Sequence, residues 1–368
     1  MKFISLKQWL ALFDLQRVSF REFLKTYKVK TNTNVVSLTE AVKSRNISTE
    51  NVKLIYSLFV LNKEKYLTNF YKFSLQLPES LDLPSNITLS LSNSQNIKQK
   101  NLIRNLNYRD LLLNTKTGIP NLRPFLEVLI DLFNKSTIDY KLITPSALDL
   151  FKRGLFGSVM SGFYFRSSIL NPAVIYTLSI KYLKGTKVFT PTLGWSSYCY
   201  GFLSDSRVKE YVGIDVIPKV CKNTKNLSEK FFPDKNTSIY CAPSESFLED
   251  KGFMKKYKNY FDVVFFSPPY FELELYPGKN QSTEKYKSYE EWLIKYWEQT
   301  IKLCRHVLKK GGIMAYIISG YANKMSLNED MNSITKKYFK MKKKMKLGNT
   351  DVGITQHKET GELIFFFV

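Results

Sequence analysis

The stretch Phe261–Tyr276, FDVVFFSPPYFELELY, constrains this chain more than any other. Asp262 opens an apolar run, Val263-Val264-Phe265-Phe266, with no polar alternation. A strand apolar on both faces belongs inside a parallel sheet that is covered on both sides. The run stops at Ser267-Pro268-Pro269-Tyr270. Two prolines fix φ twice and remove two ladder donors, so the strand cannot continue. They leave a stiff shelf at the carboxyl end of a buried strand, where open α/β sheets bind ligands. The shelf carries a hydroxyl at Ser267, the two proline carbonyls and an aromatic face at Tyr270.

This set of groups suits an exocyclic amino group on a base. Such a nitrogen is a poor nucleophile because its lone pair is delocalised into the ring. Two acceptors gripping its N–H bonds pull it toward tetrahedral geometry, and an aromatic ring stacks on the base to hold it. Ser-Pro-Pro-Tyr after a hydrophobic strand resembles motif IV of the amino-methyltransferases. These enzymes transfer a methyl group from S-adenosylmethionine to N4 of cytosine or N6 of adenine. The resemblance covers about residues 160–368. It implies Ser267, Pro268, Pro269 and Tyr270 as the catalytic set, S-adenosylmethionine as cofactor and no metal. The base must leave its stack to reach the shelf. Serine at the first position leans toward cytosine, with adenine open.

The other motifs follow in chain order. Phe163 to Pro172 ends in Asn171-Pro172 before a helix, with Pro172 in the first turn. It is similar to motif X, which closes over the methionine end of the cofactor and brings in Asn171. Lys187-Val188-Phe189, then Gly194-Trp195, then a helix from Tyr198 form a strand, glycine turn and helix, the geometry that lets backbone approach a ligand. This resembles motif I and implies cofactor contacts at Thr190, Gly194 and Trp195. It departs from the pattern in two places: Thr190 occupies the usual acidic position, and Ser196-Ser197-Tyr198 replaces Gly-Gly-Arg. Tyr211 to Asp215 reads as a second strand with a carboxylate at its tip, suited to both ribose hydroxyls of a nucleoside. It resembles motif II, with Val216 beside it. Strand three is expected at Ser238–Cys241, followed by Ser244 and Glu245 at the adenine ring. Tyr289–Leu308 is expected as an amphipathic helix ended by Lys309-Lys310-Gly311-Gly312. Strand five is expected at Ile313–Ile318 and a terminal strand at Glu362–Val368. Pro277 to Lys287 is a polar loop with the makings of a lid. Glu272 sits near the shelf, but no strong base is required for this chemistry.

The 368 residues suffice for two domains. Residues 1–150 are expected to form a helical domain that selects the target, and 151–368 the methyltransferase domain. In the first part Ser37 with Glu40 has the form of a capping box. Pro78–Gln99 reads as a loop or a short strand at Ile87, Leu89 and Leu91, and Arg104–Leu113 and Pro124–Asn134 as helices. The expected fold is a class I, Rossmann-like α/β sheet, mostly parallel with an antiparallel last strand.

Lys and Arg total 55 against 32 Asp and Glu, a net charge of +23. That excess favours a polyanionic partner, so nucleic acid is expected, DNA before RNA. Lys336 to Lys346 concentrates seven lysines, read as a solvated helix face or a phosphate-contacting patch. Four cysteines without a C-x-x-C pair, and His306 and His357 far apart, argue against zinc and a disulfide framework. The N-terminus is too polar for a signal or membrane segment, so a soluble intracellular protein is expected, with no membrane contact and a protein partner undefined. A second class stays open: a methyltransferase-like nucleic-acid-binding or assembly subunit with little or no activity. A small-molecule or protein amide methyltransferase is a third.

Overall fold

The computed structural model describes residues 1–318, 326–348 and 362–368; His357 lies outside them. Its small sheet joins β1 (Lys28–Lys30), β2 (Val35–Ser37) and β3 (Thr137–Asp139) in the order β2-β1-β3. The large sheet holds β4 (Lys187–Thr190), β5 (Glu210–Asp215), β6 (Asn236–Cys241), β7 (Phe261–Phe266), β8 (Leu308–Ile318), β9 (Met341–Lys346) and β10 (Leu363–Phe367). Its order is β6-β5-β4-β7-β8-β10-β9. Pairs within β6-β5-β4-β7-β8 are parallel, and β10 runs antiparallel to both its neighbours. This is the mostly parallel α/β sheet with an antiparallel last strand that the sequence predicts.

From β4 the chain steps outward through β5 to β6, then returns to place β7 on the other side of β4. The carboxyl ends of β4 and β7 therefore flank a topological switch point, where such sheets leave a crevice. β7 lies there because Val263 to Phe266 find apolar neighbours on both faces and are all fully buried. Phe189 stacks on Phe261 at 5.3 Å, and Tyr257 covers Phe261 at 5.1 Å.

Asp262 fixes the start of this centre. Its Oδ2 accepts from Thr186 N–H and Oγ1 at 2.8 Å each and from Lys187 N–H at 2.9 Å, while Lys309 Nζ pairs with Oδ1. Partial burial opposes ionisation, but the Lys309 and Thr186 contacts outweigh it and hold the carboxyl down to about 2. A depressed acid contributes stability that is complete above its unfolded value near 3.8 and lost as pH falls through about 2. Thermal melts from pH 5 to pH 2 should show a steeper loss for the wild type than for Asp262→Asn. Parallel curves would remove Asp262 from the acid transition.

Gly201 marks the tightest helix contact. An added Cβ would lie 2.5 Å from Ile175 Cβ and 2.7 Å from the Pro172 carbonyl, across the helices Pro172–Leu178 and Ser197–Leu203. Gly201→Ala should therefore destabilise by about 1–3 kcal/mol despite alanine's better helix propensity. A denaturation midpoint unchanged or raised would show that the two helices separate freely.

Local expectations are met in part and corrected in part. The first 150 residues are mostly helical, as expected, with β1, β2 and β3 as short additions. Ile87–Leu91 takes the loop alternative, and the next helix spans Ile97–Leu106 instead of beginning at Arg104. The helix from Tyr289 stops at Val307, and Leu308–Gly312 already belongs to β8, because Leu308 pairs with Phe261. The lysine-rich segment contains β9, the sheet edge, where exposed Lys342, Lys343 and Lys344 discourage further strand pairing. Ser37 Oγ does cap its helix by accepting from Glu40 N–H at 3.1 Å.

The first part of the chain packs directly on the large sheet's ligand face. Asn107 Nδ2 donates to the Trp195 carbonyl at 2.8 Å, and Lys219 pairs with Asp110 at 2.9 Å. Lys116 and Leu275 exchange backbone hydrogen bonds of 2.9 Å just beyond the proline shelf. No helix among the described residues is long and apolar enough to cross a membrane.

Candidate active site

A cleft of about 1020 Å³, counted out to its mouth, opens over the carboxyl ends of β4, β5 and β7. One end is formed by Asp215, Val216, Ser244 and Glu245, and the other by Ser267, Pro268, Pro269 and Tyr270. Gly194 and Trp195 lie between them. Ten of the twelve residues singled out in the sequence thus line one cavity; Thr190 and Asn171 do not.

Asp215 stands at the tip of β5. Its two carboxylate oxygens accept one backbone N–H each, from Leu193 at 3.2 Å and Ile217 at 3.0 Å. These bonds fix the side chain and leave lone pairs on both oxygens for the cleft. Burial pushes its carboxyl above the usual range. Glu245 is almost fully buried and accepts from Lys285 Nζ at 2.7 Å and Tyr286 Oη at 3.0 Å. That contact pins the Pro277–Lys287 loop across the cleft, where Asn280, Gln281 and Ser282 line it.

The turn after β4 is built on strained backbone. Gly194, Trp195 and Ser196 all take positive φ, +50°, +61° and +79°. Trp195 and Ser196 hold left-handed conformations that cost non-glycine residues about 1–3 kcal/mol each. Ser196 Oγ shares a 2.8 Å hydrogen bond with Thr224 Oγ1, which fixes it there. A side chain at Gly194 would collide with the ring of Tyr198. Tyr198 reaches the shelf: its Oη accepts from Ser267 N–H at 3.1 Å. Thr190 is fully buried in the sheet and bonds Tyr211 Oη at 2.6 Å, so it faces away from the cleft. Asn171 is likewise internal. Its Oδ1 caps the helix at Ala173 N–H, and its Nδ2 donates to the Gln95 carbonyl at 2.6 Å. Both residues hold the frame and touch no ligand space.

On the shelf, Ser267 Oγ donates to the Ile317 carbonyl at 3.0 Å and lies 2.9 Å from Tyr270 Oη. Among the described residues neither proline carbonyl accepts a hydrogen bond. Pro268, Pro269 and Tyr270 therefore present acceptors and a ring to the cleft. Burial pushes the phenols of Tyr198 and Tyr270 up, so both stay protonated at neutral pH.

Residues not singled out in the sequence complete the walls. Glu274 is buried, accepts from Ser168 N–H at 3.2 Å and from Tyr276, and is pushed up by burial. Glu272, two positions earlier, is exposed, with its carbonyl bonded to Gly118. Glu272 lies inside the 3-10 turn Phe271–Leu273 and Glu274 in the extended backbone after it, so the change of conformation between them turns one acid outward and the other inward. Tyr296 is buried against the cleft, and its Oη has no hydrogen-bond partner among the described residues. Among the described residues, Asp215, Glu245, Glu274 and Glu362 give the lining four acids and no Lys, Arg or His. In a chain of charge +23 the described lining is therefore acidic, with Glu245 already paired to Lys285.

No family model matches the chain, and no curated protein matches it. Solved structures do. Spermidine synthase from Thermotoga maritima is 16% identical over 50% of this chain, with a TM-score of 0.33. The chain spans about half, 54%, of that protein's length. A methyltransferase from Geobacter sulfurreducens is 11% identical, with 55% of this chain and 80% of that one covered and a TM-score of 0.33. TrmN from Thermus thermophilus is 11% identical, with 54% and 48% covered and a TM-score of 0.37.

Proposed function

We propose that this chain transfers a methyl group from S-adenosylmethionine to an exocyclic amino group of a nucleic-acid base, N4 of cytosine or N6 of adenine, with DNA preferred to RNA. The observation that carries this is one cleft, at the switch point of the sheet, holding Asp215 at one end and Ser-Pro-Pro-Tyr at the other.

The residues present fit the cofactor. Asp215 offers a fixed carboxylate to a vicinal diol. Ile217 and Val220 give an apolar seat for a purine, with Ser244, Glu245 and the unpaired Tyr296 hydroxyl around it. The acidic lining suits a guest bearing positive charge. S-adenosylmethionine would supply an electrophilic methyl group on a sulfonium. The rest is the chain's work. Tyr270 stacks on the acceptor base and fixes its plane. The Pro268 carbonyl and Ser267 Oγ accept the two N–H bonds of the amino group and turn its lone pair toward the methyl. Tyr198 holds Ser267 in place through the backbone. The Pro277–Lys287 loop, tied down at Glu245, keeps water out. Transfer to the amino nitrogen would leave S-adenosylhomocysteine and one proton, which the methylated amine would release once the cleft reopens to water.

The test is transfer of labelled methyl from S-adenosylmethionine to mixed DNA and RNA, with product nucleosides identified by mass. Methylcytosine or methyladenine is expected. A second reading, a subunit that keeps the fold and binds nucleic acid without catalysis, is favoured by Thr190, which leaves β4 without an acid at the cleft. Calorimetric titration with the cofactor separates the two, since a subunit without catalysis has no need to bind it.

A further inference from the structure

Outside the cleft, three cations gather with no ion-pair partner among the described residues. Lys100 and Arg104 lie one turn apart on the helix Ile97–Leu106 and share a face. Arg166 approaches from the segment that leads to Ser168 on the cleft wall. Arg104 is 5% exposed and its Nε has no hydrogen-bond partner among the described residues. Lys100 and Arg166 keep partial surface exposure in a crowded setting. The Arg166 guanidinium meets Ser74 Oγ at 3.4 Å. Among the described residues no carboxylate forms an ion pair with any of the three.

The chain treats its other enclosed arginines differently. Arg123 is caged by Glu127, Asp131 and Asp139, and Arg207 grips Asp205 at 2.7 Å. Those pairings push both guanidinium values up despite the cost of burial. At the cluster the direction reverses. Burial and the neighbouring arginines push Lys100 down to about 7, and burial with Arg166 pushes Arg104 down. Guanidinium groups do not discharge in proteins, so they call for an anion from elsewhere. Arginine's planar fork matches a phosphate's oxygens.

The cluster's position relates it to the cleft. Glu362, a cleft-wall residue, is the carboxylate whose field reaches Lys100, and the same field reaches Tyr270. Arg166 stands two residues before Ser168, which lines the cleft and donates its N–H to Glu274, so the cluster borders the wall that carries Glu274. The described cleft lining is acidic, so a phosphate is better held outside it while the base enters.

We propose that Lys100, Arg104 and Arg166 form a phosphate site that receives a backbone phosphate of the nucleic acid, next to the nucleotide whose base enters the cleft. This rests on the methyl-transfer reading for its neighbour but not for its own chemistry.

The experiment compares wild type with Arg104→Gln and Arg166→Gln in binding a short single-stranded oligonucleotide across a salt series. Each variant is expected to bind about tenfold more weakly, with the slope of log K against log salt shallower by about 0.7 per lost contact. Its melting temperature without ligand should be equal or higher, because an unpaired buried cation has been removed. Slopes equal to wild type in folded variants would overturn the site. So would a marked fall in melting temperature, which would mean the arginines are structural. Inorganic phosphate that stabilises the wild type while the oligonucleotide slope stays unchanged in the variants would also overturn it, in favour of a free-phosphate site. The wild-type methyl-transfer assay separates the two ideas. Methylation with unchanged variant slopes sinks the phosphate site alone, and altered slopes without methylation sink the transfer reading alone.

Discussion

Asp215→Ala is expected to remove measurable S-adenosylmethionine binding from a calorimetric titration in which the wild type gives a clear signal. The carboxylate's rotamer is already fixed by the N–H groups of Leu193 and Ile217. It therefore meets two ribose hydroxyls without further ordering cost. Hydrogen bonds to a charged group contribute about 1.5–3 kcal/mol each. Losing two corresponds to a weakening of about 10²- to 10⁴-fold. Asp215→Asn keeps one acceptor and should fall between. The same carboxylate ties the turn after β4 to the tip of β5, so the alanine variant also loses stability, and melting curves are needed beside the titration. A sign follows from burial, which raises the Asp215 carboxyl above 3.8. Binding should weaken as pH falls through that raised value, earlier than for an exposed aspartate. Equal affinity in wild type and Asp215→Ala would take the ribose contact away from β5.

The central strands were legible because their burial is simple. β7 is buried on both faces, so its apolar run needs no periodicity to be recognised, and the prolines state where it ends. Asp215 followed from an apolar strand with one acid at its tip. Thr190 and Asn171 were placed correctly along the chain but not in space. Motif spacing says which strand or helix end a residue occupies; it does not say whether a hydroxyl or amide will turn inward to satisfy a neighbour. Thr190 turned to Tyr211 and Asn171 to its own helix and the 93–96 loop. The edge strand β9 was hidden because Met341 to Lys346 carries charge at most positions. Such a pattern fits a solvated helix equally well until β10 is seen to need a partner. Tyr296 and the Lys100–Arg104–Arg166 cluster were out of reach for another reason. Their meaning lies in which partners the described residues offer them, and that is a property of packing between segments far apart in the chain.

Tyr270 should divide its contribution between ring and hydroxyl in a way the methyl-transfer assay can read. Tyr270→Phe removes the 2.9 Å contact with Ser267 Oγ but keeps the stacking face. Ser267 remains held through its hydroxyl to Ile317 and its N–H to Tyr198, so the shelf should keep its shape. A loss of only a few-fold in kcat/KM is expected. Tyr270→Ala removes the face as well. Stacking of a base on an aromatic ring contributes about 1–3 kcal/mol, so kcat/KM for the acceptor should fall a further 10- to 100-fold. Because Tyr270 lies at the opposite end of the cleft from Asp215, the affinity for the cofactor should not move in either variant. Equal losses in the two variants would place the contribution in the hydroxyl and its grip on Ser267, and the ring would then be packing. A fall in cofactor affinity together with activity would show that Tyr270 shapes the whole cleft, and the division of the cavity into a nucleoside end and a base end would have to be abandoned.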